Sequence, residues 1–234
     1  MGQYYKILCV NRREELSKDD YGAKLMESAW VGNDLTTSLY YMLMRNWSEK
    51  IVVNIGNYAD ENKNWAVLVN KLSKEFKINS YPQCEDKTKT YKSLYNTADD
   101  YKKVERKPSM TRKDLGRIYG LNLDKKEFVD LNVLPVTDVY KDERGETVYS
   151  VEPISILIAM GNGLGVGDYY AKDDSTPYVG SWAGDRISVS KFIPEGYAEI
   201  VPNFKKYYSN ANTEGQYYDF VEEKFVKVNQ EAQC

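Results

Sequence analysis

The stretch from Pro153 to Ile187 constrains this chain most. It opens on the longest apolar run, Ile154 to Met160, bounded by Pro153 and Gly161. A run that short, closed by a proline and a glycine, fits a strand buried on both faces better than a helix. Gly161, Gly163, Gly165 and Gly167 then fall at every second position. Glycines so placed let the backbone take positive φ or approach a ligand without a Cβ in the way. Asp168 and Tyr169 close the loop with a carboxylate and a phenol. Neither phosphate-binding fingerprint is present, since no Lys-Ser/Thr follows the glycines and the residues after Gly167 do not open a helix. Two readings stand side by side: a ligand loop, and a broad turn whose glycines satisfy backbone geometry alone.

Composition narrows the chemistry. The 234 residues include no histidine, which removes the usual general base near neutral pH and the commonest transition-metal ligand. Ser-His-Asp and Cys-His catalysis and histidine-containing zinc sites are excluded within the chain. The three cysteines, Cys9, Cys84 and Cys234, are odd in number and lack CxxC spacing. That usage argues against a disulfide framework or a zinc site and for a reducing, cytoplasmic setting. With 32 basic and 35 acidic residues, no global charge drives the chain toward nucleic acid or an anionic membrane. No apolar run approaches the roughly 20 residues of a membrane span, and no cofactor is expected. The 21 tyrosines against 6 phenylalanines favour surfaces that meet partners, because Tyr combines apolar area with a polar tip.

Periodicity predicts an α+β fold, a mixed or antiparallel sheet with packed helices, in one domain spanning 1–234. Gln3 to Val10 reads as a strand, Asn11 to Glu14 as the turn to a short partner strand, and Ile51 to Ile55 as a buried strand ending at Gly56. Asp34 caps a helix from Leu35 to Asn46, and Trp65 to Phe76 carry a second amphipathic helix. Residues 85–117 hold 10 basic and 6 acidic side chains, with Tyr91, Leu94, Tyr95, Ala98, Tyr101 and Val104 at helical spacing. They read as a charged helical insertion, peripheral to the core. Tyrosines between lysines also suit base stacking, but Asp99, Asp100 and Glu105 interrupt the lysine face, so nucleic acid is disfavoured. A short helix near Thr111–Asp114, a hairpin from Leu121 to Leu131 about Asp124-Lys125-Lys126, and strands at Val133–Tyr140, Thr147–Val151, Val179–Ser181 and Arg186–Phe192 follow. Phe220, Val221, Phe225 and Val228 give the C-terminal segment the spacing of a closing helix.

The two flanks of the insertion, lobes 1–84 and 118–234, echo each other in order. Val10 to Leu16 resembles Leu123 to Val129, Val31-Gly32-Asn33 resembles Met160-Gly161-Asn162, and Ile55 to Glu61 resembles Val179 to Asp185.

GNGLGVGDYY (161–170), VGSWAGDRI (179–187) and the opening MGQYYKI (1–7) resemble the marks of an uncharacterised family of bacterial and phage proteins that begin Met-Gly-Gln-Tyr-Tyr. The resemblance implies a shared fold and a phage or mobile-element setting, and it implies no reaction. In that family the loop carries Arg where this chain has Leu164 and Gly where it has Val166, so a cation that would favour anion binding is missing.

Gly161, Asn162, Gly163, Gly165, Gly167, Asp168, Tyr169, Trp182, Asp185 and Arg186 form the candidate ligand-binding set. The stretch and the following turn are expected on neighbouring antiparallel strands, with Trp182 as an aromatic platform for a polar, nucleotide-like ligand. The favoured function is a binding or interaction protein that sequesters such a ligand or blocks a host protein. The alternative is a histidine-free enzyme for a nucleotide or phosphorylated substrate, using Asp168 and Asp185 as carboxylates and Arg186 as an anion clamp.

Overall fold

The computed structural model describes residues 3–17, 22–29, 34–59, 94–106, 112–132, 139–141, 147–149, 151–161, 178–201, 217–221 and 224–228. The Trp65–Phe76 helix, most of the glycine loop and part of the 85–117 segment lie outside these residues. In chain order the strands are β1 (Tyr5–Cys9), β2 (Glu14–Leu16), β3 (Lys50–Gly56), β4 (Lys102–Lys103), β5 (Tyr119–Asn122), β6 (Glu127–Asp130), β7 (Val139–Lys141), β8 (Thr147–Tyr149), β9 (Ala159–Met160), β10 (Arg186–Ser190), β11 (Ala198–Glu199), β12 (Tyr217–Val221) and β13 (Lys224–Val228). The α-helices are α1 (Leu25–Ala29), α2 (Asp34–Leu43), α3 (Leu94–Thr97), α4 (Arg112–Leu115) and α5 (Pro153–Leu157).

The fold is α+β, built on a mixed nine-stranded sheet. Eight strands run in the order β11-β6-β5-β10-β3-β1-β2-β4, and β9 joins β3 off that path. The six inner strands pair antiparallel, whereas the edge strands β4 and β11 pair parallel to β2 and β6. Alternation decides the faces. Ile7 and Cys9 point from β1 into the larger core cluster, while Leu8 points to the opposite face with Val53 and Ile55 of β3. The larger cluster draws Ile7, Leu16, Leu39, Trp47 and Val52 from the N-terminal lobe and Ile118, Val129, Leu157, Trp182 and Ile187 from the C-terminal one.

Several local readings change. Pro153 to Leu157 forms one turn of helix rather than a strand, and only Ala159–Met160 is extended. Proline at the first helical position fixes φ at a helical value and gives up an N–H that would have no partner there. Burial is complete from Val151 to Gly161, so the apolar run marked the core and not the element. β9 and β10 are not paired neighbours. Both lie along β3, β9 parallel at Asn54–Ile55 and β10 antiparallel at Lys50–Ile51. Val179–Ser181 is a turn, not a strand, because Gly180 takes φ +72°.

The 85–117 segment is not one amphipathic helix. After α3 it tightens into a 3₁₀ turn, Ala98–Asp100, and then adds β4 to the sheet. Nor is it wholly peripheral, since Ala98 and Tyr101 are buried beside Leu8 and Val53. The C-terminal segment is a hairpin, with Phe220 opposite Phe225, in place of the helix its spacing suggested. Aromatic and β-branched residues on both sides of a two-residue connection favour that pairing. α2 takes in Asp34, the residue read as its N-cap, and ends at Leu43 rather than Asn46.

Candidate functional site

The described part of the candidate set lies where the β5–β6 hairpin meets the turn that feeds β10. Lys126 takes φ +55° in the hairpin turn, and Asn122 Oδ1 accepts from the amides of Asp124 and Lys125, both at 3.0 Å. This local cap leaves Asn122 Nδ2 free to donate to Asp185 Oδ2 at 3.0 Å. Asp124 then bridges to β10: its Oδ2 accepts from the Arg186 amide at 2.7 Å and its Oδ1 from Arg186 Nε at 2.8 Å. Asp124 raises the already high pKa of the guanidinium. Lys125 Nζ donates to the Ser181 carbonyl at 2.5 Å.

Beneath this layer Trp182 is fully buried, and its Nε1 donates to Glu127 Oε2 at 2.7 Å. The ring is a core element and does not offer the open aromatic platform expected of it. Two amides bolt the turn to α5, Gly180 N to Ile156 O at 3.0 Å and Trp182 N to Leu157 O at 2.8 Å. Gly180 is required there, because a Cβ would sit 2.4 Å from the Ala159 carbonyl oxygen.

Trp182, Asp185 and Arg186 are therefore brought together, and Asn122, Asp124, Lys125 and Glu127 hold them. Gly161 is buried at the end of β9. Asn162, Gly163, Gly165, Gly167, Asp168 and Tyr169 lie outside the described residues. Asp185 is buried with a side-chain amide on its carboxylate, and the Nε of Arg186 is committed to a carboxylate, although about half of that side chain is exposed. The arrangement joins a hairpin to a turn, and within it Asp124 and Arg186 neutralise each other. The Asp124-Lys125-Lys126 turn was legible as a hairpin, but no local signal tied it to residues some sixty positions away.

Sequence reasoning also missed the buried polar groups on the N-terminal lobe. Lys6, only 4% exposed, donates to Asp99 Oδ1 at 3.1 Å and lies 4.4 Å from the centre of the Tyr95 ring. Glu15 is buried on the same face of the hairpin, and its Oε1 has no hydrogen-bond partner. Under the start of the glycine stretch, Asn54 Nδ2 donates to the Ser155 carbonyl at 3.2 Å and to Ser28 Oγ at 3.3 Å. Alternation along β1 and β2 marks which positions face inward, but it does not say that Lys6 and Glu15 are covered.

Compared with known proteins, the chain matches no protein-family model, no curated protein and no solved structure.

Proposed function

We propose that this chain is a binding or interaction protein, acting in the cytoplasm and engaging a host protein rather than transforming a substrate. The observation that carries this reading is the internal pairing of Asp185 and Arg186, two of the three groups the catalytic alternative needs. Asp185 is covered and bonded to Asn122, and Arg186 is clamped by Asp124. A general acid or an anion clamp has to meet its substrate directly, and here Asp185 is covered and the Nε of Arg186 is engaged by Asp124, so that both hold β10 to the hairpin.

A protein partner is favoured over a small polar ligand by the segment joining β10 to β11. Phe192 is 80% exposed, with Ile193 beside it at 38%, and Val201 just beyond β11 is 73% exposed. Large apolar side chains held in water beside a sheet edge suit a protein contact. The resemblance to bacterial and phage proteins supports a host protein as that partner. Among the described residues no helix is long and apolar enough to cross a membrane.

Native mass spectrometry of the protein isolated from its own host tests the reading. The expected result is a bound protein that is lost from Phe192→Ser/Val201→Ser at unchanged melting temperature. A nucleotide-sized adduct in place of a protein, or equal retention of the protein by the variant, would overturn it.

A further inference from the structure

A set of hydrogen bonds in one half of the sheet recurs residue by residue in the other. Asn11 Oδ1 accepts from the Ile51 amide at 2.7 Å, and Asp124 Oδ2 accepts from the Arg186 amide at 2.7 Å. Trp47 Nε1 donates to Glu14 Oε2 at 2.7 Å, and Trp182 Nε1 donates to Glu127 Oε2 at 2.7 Å. Both indoles are fully buried. Arg13 and Lys126 take φ +53° and +55° at the same place in their hairpins, and Glu49 and Gly184 take +60° and +73° two residues after their tryptophans. One constant shift relates Asn11, Arg13 and Glu14 to Asp124, Lys126 and Glu127. A second relates Trp47, Glu49 and Ile51 to Trp182, Gly184 and Arg186.

The edges agree as well. Lys102 N and Val104 N donate to the carbonyls of Arg13 and Glu15, as Ala198 N and Ile200 N do to those of Lys126 and Phe128. The order β4-β2-β1-β3 from one edge thus matches β11-β6-β5-β10 from the other. At the seam Ile51 pairs with Arg186, its own counterpart. The flanking bonds are reciprocal, Glu49 N to Ile187 O at 3.0 Å and Gly184 N to Val52 O at 3.2 Å. An element that meets its own counterpart antiparallel makes an isologous, two-fold contact. Unrelated hairpins share a ladder, but a ladder does not require a turn side chain to cap an amide at the start of a third strand, or an indole to find the hairpin carboxylate.

We infer that the chain is a tandem duplication of one unit, residues 5–53 and 118–188, folded as an internal two-fold dimer, with the β3–β10 seam as the surface by which one copy recognises the other. The counterpart of the Trp182 turn is thus the Trp47 turn, not Ile55–Glu61 as the sequence echo suggested. The copies differ on the face opposite the larger core. Tyr119 and Phe128 pack edge to face with centroids 6.1 Å apart, where the first copy carries Lys6 and Glu15.

Segment transplants test the inference. Val10→Leu, Asn11→Asp, Arg12→Lys and Arg13→Lys, with Ser48→Ala and Glu49→Gly, place the second copy's hairpin turn and tryptophan turn in the first. The control puts the same hairpin segment one residue out of register: Val10→Asn, Asn11→Leu, Arg12→Asp, Arg13→Lys and Glu14→Lys. The in-register chimera is expected to unfold cooperatively within about 5 °C of the parent and at least about 5 °C above the control, which loses both the cap and the indole acceptor. The reverse transplant, Leu123→Val, Asp124→Asn, Lys125→Arg and Lys126→Arg, is expected to behave as the in-register chimera does. A chimera outside those limits, or a control that melts with it, would show that the positions are not equivalent.

Discussion

Glu14 carries both a charge and a core contact. Burial pushes its carboxyl up, but hydrogen bonds from Arg12 and from the Trp47 indole outweigh that and hold it below its ordinary value of 4.5. A carboxyl depressed in the folded state adds stability that is fully present above the unfolded value and is lost as pH falls through the folded one. Glu14→Gln keeps an acceptor for the indole and abolishes the titration. Its melting temperature is therefore expected to lie below that of the parent at about pH 7, with the gap closing below about pH 4. A gap that stays constant across that range, measured by thermal unfolding at low salt, would mean the charge contributes nothing. Cys9 shows the opposite case: buried in the same hairpin, its thiol is pushed up to about 12, chiefly by desolvation, which makes it a core residue and a poor nucleophile.

Among elements, the turn before β10 is tightly constrained, because it is fixed at once to α5, to the hairpin and to β3. Gly180→Ala demands a left-handed alanine and drives its Cβ to 2.4 Å from the Ala159 carbonyl oxygen. Gly116 also has positive φ, at +67°, but a Cβ there meets nothing within 4 Å. The two substitutions separate conformational cost from collision. Gly116→Ala is expected to cost about 1 kcal/mol, and Gly180→Ala about 3 kcal/mol, or some 6–12 °C in melting temperature. Equal losses in calorimetry would show that the turn relaxes away from β9.

On the scale of the whole molecule, the larger core cluster is shared between the lobes, and the seam bonds β3 directly to β10. Fragments 1–84 and 118–234 would each expose half of that cluster and an unpaired strand edge. Neither is expected to melt cooperatively alone, and two independent cooperative transitions would overturn this. Short-range information settled much of the rest: strands β1, β3 and β10, the start of α2 and the two hairpin turns follow from alternation, an N-cap and turn chemistry, all of which act within a few residues. Sequence alone also established that histidine chemistry is excluded and that 154–160 is core. It could not decide whether Pro153 to Leu157 is helix or strand, because a run apolar on every side has no period to read. Nor could it separate helix from hairpin at Tyr217–Val228, where the same apolar spacing serves both. The partners of Arg186 and Asp185, and the burial of Trp182, depended on a hairpin some sixty residues earlier folding against them. Only the tertiary structure decided that three residues chosen for chemistry hold the sheet together, because hydrogen bonds between distant segments leave no local pattern in the chain.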